Sequence, residues 1–157
     1  MQTELLEPPV NTTQKPKAAP AREPDYVVGF LFRYGGDEVA LIRKTKPAWQ
    51  KGLLNGVGGK IEFDEHPLTA MIREFEEEAG PYIINWRCFA VMTLKAGNKI
   101  YFYASHEIVE IESKTDEEVS WYPVAHLRQY GVLSNLNWLV PLALDKDEVT
   151  AEIKDFS

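Results

Sequence analysis

The sequence predicts a single mixed α/β domain, and three observations predict it. Two pairs of strand-like segments are joined by turn signals, a helix with one apolar face lies between them, and the first 25 residues show neither pattern. Hairpins on both sides of the helix exclude a simple doubly wound parallel sheet.

Each element follows from local chemistry. Residues 1–25 include five of the chain's ten prolines (Pro8, Pro9, Pro16, Pro20 and Pro24) and almost no aromatic or β-branched pattern. They are predicted to form a disordered or loosely attached arm, with the domain over 26–157. Tyr26 to Phe32 reads as a buried strand, Gly35-Gly36-Asp37 as a turn, and Glu38 to Arg43 as the hairpin partner. A loop rich in Gly, Asn and Lys runs from Lys44 to Gly59. Pro67 suits the first turn of a helix, where its missing N–H is no loss, and Asp64 or Glu65 can serve the positive end. Leu68, Met71, Ile72, Phe75 and Ala79 recur at helical spacing, and Gly80-Pro81 ends the run. Trp86 to Leu94 and Ile100 to His106 read as strands around Ala96-Gly97-Asn98, and Val119 to Tyr122 as another. Pro123 to Tyr130 reads as a short helix. Leu136 to Leu144 reads as a second, with Trp138, Leu139, Leu142 and Ala143 inward.

Composition narrows the function. At 157 residues, 45% hydrophobic and 26% charged, the chain has the balance of a soluble globular protein, and no apolar run is long enough to span a bilayer. The N-terminus lacks the basic patch and apolar core of a signal peptide. The single cysteine, Cys88, excludes an intramolecular disulfide and a multi-thiolate zinc site. A cytoplasmic location fits. A net charge of −7 disfavours binding to a nucleic-acid polymer. Acidic residues can still meet phosphate through a divalent metal, and here they are concentrated: Glu62, Asp64, Glu65, Glu74, Glu76, Glu77 and Glu78 share one short stretch.

On the helix beginning at Pro67, Glu74 lies four residues before Glu78 and three before Glu77, so the three share an arc turned from the apolar stripe. Like charges at that spacing weaken an isolated helix by a few tenths of a kcal/mol per pair, roughly. The bland explanation is a solvated face with the charge dispersed by Arg73 and water. The sharper one is a site for a hard cation with oxygen ligands. The surrounding residues favour the second. Gly59, five residues, Glu65, seven residues, then Arg73-Glu74-Phe75-Glu76-Glu77-Glu78-Ala79-Gly80 resembles the signature of the Nudix hydrolase family. Every charged and glycine position of that signature is met. Pro81 departs from the usual final aliphatic residue, and Asp64 stands where relatives often have glycine.

The resemblance implies an α/β/α sandwich with a mixed sheet, and cleavage of a phosphoanhydride with Mg²⁺, for which Mn²⁺ can substitute. It implies Glu74, Glu77 and Glu78 as the main metal ligands and Glu65 and Arg73 as supporting catalytic residues; for Arg73 an ordinary surface salt bridge is the alternative. The Gly59 carbonyl is a plausible further ligand. Relatives commonly recruit one more acid from a distant loop. Asp116, Glu117 and Glu118 are the candidates here, and Glu118 is preferred because relatives often place an acid three residues before the tryptophan that stands here as Trp121; a solvated acidic turn is its alternative.

For substrate, the run Leu54-Asn55-Gly56-Val57-Gly58-Gly59-Lys60 resembles a segment of the MutT branch in which the asparagine lies in the nucleotide pocket. Asn55 and Lys60 are therefore substrate-binding candidates, with a turn-forming role the alternative for Asn55. Ser134-Asn135-Leu136-Asn137-Trp138 also resembles that branch, where a polar residue before the last helix reads the base; Asn135 is the first choice and Asn137 the second. Arg43 and Lys44 are candidates for the triphosphate, or else solvated loop cations. Tyr101, Tyr103 and Trp121 are more often core than base platforms. The implied reaction takes a nucleoside triphosphate, oxidised or otherwise modified bases included, to monophosphate and pyrophosphate, in a monomer or homodimer with no nucleic-acid or membrane partner. Two rivals stand beside it: the same chemistry on a nucleotide sugar, dinucleotide or other diphosphate derivative, and a nucleotide-binding Nudix module without turnover.

Overall fold

The computed structural model describes residues 22–155; the predicted arm lies outside them except for its last four residues. These are tied in. The Pro24 carbonyl accepts from Asn98 Nδ2 (2.8 Å), the Asp25 carboxylate from the Lys99 N–H (2.7 Å), and the Asp25 carbonyl from the Ile61 N–H (2.9 Å). The fold thus begins a little before the first strand.

The strands are β1 (Tyr26–Arg33), β2 (Glu38–Arg43), β3 (Leu54–Asn55), β4 (Val57–Lys60), β5 (Arg87–Thr93), β6 (Lys99–His106), β7 (Val119–Pro123) and β8 (Ala151–Lys154). Helix α1 is Pro67–Ala79 and α2 is Leu136–Ala143. Among the described residues all eight strands join one mixed sheet in the order β3-β2-β1-β6-β5-β8, with β4 on β1 and β7 on β2. Pairings are antiparallel except β1 with β6 and β5 with β8. Both hairpins are present, as predicted.

The predicted loop 44–59 is a correction: it contains β3 and β4. The gap between two diverging strands explains this. β1 pairs with β2 only over Leu31–Arg33, and over Tyr26–Gly29 it pairs with β4 instead. Residues 54–60 therefore fill the opening between β1 and β2, the Leu54 and Asn55 end against Arg43 and Ile42. Glycine-rich composition hid a segment whose backbone bonds are all long-range. β8 was also missed, being a short edge strand placed only by its parallel register on β5.

The alternation of the strands builds two cores. Val27, Leu31, Ala40 and Ile42 face α1, whose Ala70, Met71, Phe75 and Ala79 are completely buried. Phe30, Phe32, Val39 and Leu41 face α2 with Leu136, Leu139, Val140 and Ala143. Each fully buried large side chain stabilises the fold by roughly 1.5–3 kcal/mol. Gly29 lets α1 settle directly on the sheet, since a Cβ there would lie 2.5 Å from Met71 Cε. Ile83 and Trp86 close the end of the α1 core beside Pro81, with the Trp86 and Phe75 rings 5.3 Å apart. On α2 the prediction for Trp138 fails: the side chain is 44% exposed, and Leu136 and Val140 face the core in its stead. Residues 124–129 form a 3-10 helix where a short helix was expected. Among the described residues no helix is long and apolar enough to cross a membrane.

Candidate active site

α1 begins at Pro67, and its first free N–H groups are capped by His66, whose Nδ1 accepts from the Leu68 N–H at 3.1 Å. The cap is therefore His66, with Asp64 and Glu65 free of that task. Asp64 itself sits at φ +60°, the left-handed region that glycine prefers and aspartate tolerates. That explains how aspartate can replace the glycine of relatives.

Arg73 organises the acidic cluster. Its Nε and Nη2 donate to the two carboxylate oxygens of Glu65, each at 2.8 Å. Nη1 donates to Glu74 Oε1 (2.9 Å) and Glu77 Oε2 (3.3 Å), and Nη2 also to the Lys60 carbonyl (3.0 Å). One guanidinium thus ties α1 to the preceding loop and to the end of β4, which a flexible ammonium could not do with the same geometry. The arrangement is more than a surface salt bridge: the Glu65, Glu74 and Arg73 side chains are 11%, 12% and 23% exposed. The hydrogen bonds from Arg73 hold the Glu65 carboxyl below the usual carboxylate range, and Glu65 in turn raises Arg73. Glu74 moves the other way, because burial pushes it up against the opposing pull of Arg73.

Gly59 permits this burial. A Cβ on Gly59 would lie 2.5 Å from Cδ and from Oε2 of Glu74, so the carboxylate rests directly against the β4 backbone. Glu78 accepts from Thr115 Oγ1 at 2.8 Å, and its carbonyl accepts from the Lys114 N–H at 3.1 Å. The acidic loop predicted to complete the site is therefore packed on the C-terminal end of α1.

A family model, the NUDIX domain, matches residues 23–140. The chain belongs to the Nudix family. With that membership it is a pyrophosphohydrolase. No curated protein matches it. Solved structures do. A MutT of Aliivibrio salmonicida or Vibrio cholerae is 20% identical over 78% of this chain and 96% of its own, with a TM-score of 0.64. The mutator MutT protein of Bacillus halodurans is 19% identical over 81% and 86%, at 0.65. The NUDIX domain of Shewanella oneidensis NrtR, solved as a complex with ADP ribose, is 20% identical over 82% and 90%, at 0.68. At these identities the likeness establishes the Nudix fold, which the two-sided mixed sheet displays.

Other predicted residues divide. Among the described residues of this Nudix domain, no three acidic, histidine or cysteine side chains converge as a ready cage. Glu74 and Glu77 are held by Arg73, and Glu78 by Thr115. Of the three loop acids, Glu117 is buried: it accepts from Lys44 Nζ (2.9 Å), the Thr45 N–H (2.6 Å) and Thr45 Oγ1 (3.2 Å). Burial pushes Glu117 up, but these donors outweigh it and leave the carboxyl below its ordinary value. Glu118 is exposed, and its carbonyl accepts from the Arg43 N–H (2.8 Å).

Neither Arg43, the last residue of β2, nor Lys44 after it is a free loop charge. Lys44 is paired with Glu117, and Arg43 donates to the Gly52 carbonyl at 2.9 Å. Asn55 ends β3, and its Oδ1 accepts from the Gly56 N–H at 2.8 Å, a bond in which its amide nitrogen takes no part. Lys60 is exposed at the end of β4.

The two C-terminal asparagines are separated. Asn137 lines a groove of 340 Å³ between α2 and the 3-10 helix, together with Val124 and Leu127. Asn135 lines a different cleft of 520 Å³, and its Oδ1 is buried without a hydrogen-bond partner. Two positions apart on a helical segment point in nearly opposite directions. Sequence reading missed the Asn135 cleft: Trp49 lies in a loop-like stretch that was assigned nothing, and Trp138 was expected in the core.

Proposed function

We propose that this chain hydrolyses a nucleoside triphosphate, with a divalent cation, to a nucleoside monophosphate and pyrophosphate, acting in the cytoplasm as a monomer or homodimer. The observation that supports the reading best is the largely buried Glu74 carboxylate, seated on the Gly59 backbone and kept in place by an Arg73 that Glu65 anchors. A carboxylate raised by burial gains when a cation binds beside it, and its neighbours Glu77 and Glu78 are oxygen donors of the type Mg²⁺ and Mn²⁺ prefer. Glu74, Glu77 and Glu78 would hold the cation, with the Gly59 carbonyl and Glu118 as further ligands. Glu77 and Glu78 would exchange their present hydrogen bonds for it. Such an ion supplies charge neutralisation on the phosphate oxygens and a more acidic attacking water.

The protein's own part is positional. Arg73 and Glu65 fix the start of α1 against β4, so that Glu74 cannot swing out. Thr115 brings the acidic loop to Glu78, and the Lys44–Glu117 pair clamps that loop to the end of β2. Asn55 and Lys60, at the two ends of the β3–β4 segment, and Asn135 are the substrate contacts of this reading, and the Lys44–Glu117 pairing argues against Lys44 as a standing phosphate ligand. Arg43 is already tied to the 44–53 loop, so its role is to shape the entrance.

A second reading keeps the chemistry and takes another nucleoside diphosphate derivative. It is favoured by the NrtR domain of similar fold, which was solved with ADP ribose. A panel of nucleoside triphosphates, nucleotide sugars, ADP-ribose and dinucleotides with Mg²⁺ or Mn²⁺, with products separated by chromatography, tests both. Pyrophosphate and monophosphate from a triphosphate support the first reading. Turnover confined to diphosphate derivatives supports the second. Bound nucleotide with no product would favour a non-catalytic module.

A further inference from the structure

The three carboxylates on the outer arc of α1 are each turned to a donor. Glu74 rests on Gly59 and accepts from Arg73, Glu77 accepts from Arg73 at 3.3 Å, and Glu78 accepts from Thr115 Oγ1 at 2.8 Å. A divalent cation would draw on the same oxygens, so these bonds compete with it. They are unequal competitors. Glu74 keeps its seat on the β4 backbone. The Glu77 bond is long and its side chain is 56% exposed, so water exchanges it readily. The short bond from a hydroxyl to the charged Glu78 is the one that costs most to give up.

The loop around Thr115 aims it. A hydroxyl has one proton to donate. The Glu117 N–H donates to Thr115 Oγ1 at 3.2 Å, which occupies a lone pair and leaves that proton for Glu78. Ser113 closes the same loop, accepting from the Val119 N–H at 2.9 Å and donating to the Val119 carbonyl at 3.4 Å. The loop's seat on α1 does not depend on the Thr115 hydroxyl. The Glu112 and Lys114 N–H groups donate to the Ala79 and Glu78 carbonyls (2.8 and 3.1 Å), which belong to the last turn and have no partner within the helix. At the other end the Glu118 carbonyl accepts from the Arg43 N–H (2.8 Å), and the Glu117 carboxylate is held by Lys44 and Thr45. Thr115 therefore acts on Glu78 from a fixed base. Sequence reading weighed only the acids of this loop, because a threonine carries no metal-ligand signature.

We propose that Thr115 is a positioning residue of the cation site: its hydroxyl holds the Glu78 carboxylate toward the acidic loop and so competes with a divalent cation for it. Thr115 sets how much cation the site needs, while the number and charge of the ligands stay the same. Its side chain is exposed, so the displaced bond is worth about fivefold in affinity, well short of the roughly hundredfold of a buried bond to a charge. The inference rests on the cation-dependent reading above, and it is tested with the metal alone.

The experiment is a titration of the full chain with Mn²⁺ and no nucleotide, the free ion being followed by its electron paramagnetic resonance signal. Thr115→Val keeps the shape and lacks the hydroxyl, and it should bind Mn²⁺ about fivefold more tightly than the wild type. Thr115→Ala should show the same gain if valine is poorly accommodated. Thr115→Ser restores the hydroxyl and should return to within about twofold of the wild type. Ser113→Ala loosens the loop without touching Glu78, and it should also stay within about twofold. Damage to a merely structural contact weakens metal binding, so a gain separates the two roles. Circular dichroism of each variant checks folding. Mn²⁺ binding that is unchanged or weaker in both the Val and Ala variants would overturn the role of Thr115, as would an equal gain from Ser113→Ala. In either case Mn²⁺ uptake by the wild type leaves the cation reading standing. A wild type that takes up no Mn²⁺ removes that reading, and this inference with it.

Discussion

The acidic end of α1 and the tryptophan cleft beside α2 are opposite in their state of satisfaction. At the first, Arg73 donates to Glu65, Glu74 and Glu77, Thr115 donates to Glu78, and one carboxylate is pressed on a glycine backbone. At the second, two indoles face solvent and an asparagine oxygen is left without a partner. Preorganised charge suits a reaction whose demands on phosphate are the same for every substrate. An unfilled, aromatic space suits recognition, where the ligand completes the contacts. The contrast teaches that, under the proposed function, the two tasks of cleaving and choosing would rest on different regions and could be damaged separately.

The largest effects should come from the closed region. Glu78→Gln removes a charge from the proposed cation site without changing shape, and kcat/KM should fall by about 10³ or more; chelation of the metal should do the same to the wild type. A Glu78→Gln variant with wild-type turnover would dismiss the cation assignment. Arg73→Lys should cost ten- to a hundredfold in kcat/KM, approximately what a lost supporting contact costs at a metal site. It should also cost about 2 kcal/mol of stability, since lysine cannot serve Glu65 and Glu74 together. Chemical denaturation alongside kinetics measures both.

Gly59→Ala comes next. Its Cβ would displace the Glu74 carboxylate, lowering kcat by about tenfold while the melting curve shifts little. The open region should respond on a smaller scale. Asn135→Ala should raise KM by several-fold, roughly the value of one hydrogen bond, whereas Asn137→Ala, in the other groove, should stay within about twofold. Equal effects from the two would erase the distinction between the clefts.

The smallest effect tests the clamp between them. Glu117 has its pKa lowered in the folded chain, so its stabilisation is present above the ordinary carboxylate value and is lost as pH falls through the folded one. Wild-type stability should therefore decline below about pH 4.5, the ordinary value for glutamate. Glu117→Gln should lose about 1–2 kcal/mol at neutral pH, measured by urea unfolding, with a flatter acid limb. An unchanged acid limb would show that the Lys44–Glu117 pair contributes nothing to folding.

The closed region was legible in the sequence because it is local. Glu65, Arg73, Glu74 and Glu78 lie within fourteen consecutive residues on a loop and one helix, whose 3.6-residue period fixes which side chains share a face. Strand alternation likewise revealed β1, β2, β5 and β6. What was not legible depends on partners far away in the chain. Asn135 was singled out, but nothing in its neighbourhood separated it from Asn137. The β3–β4 segment looks like a loop because only the diverging β1 and β2 supply its hydrogen bonds. Trp138 looks like core because its helix is apolar nearly all round, and only packing on the sheet decides which side is left outside.

Residue order alone thus determined the acidic cluster: a helix whose period gathers the carboxylates, an arginine to hold them, and a glycine to admit one of them. Tertiary structure decided where the cleft beside α2 lies. Trp49, Asn135, Trp138 and Ile153 become neighbours only after β3 docks between two strands and β8 pairs in parallel with β5. Those pairings follow from which backbone groups remain to be satisfied once the rest of the sheet has formed.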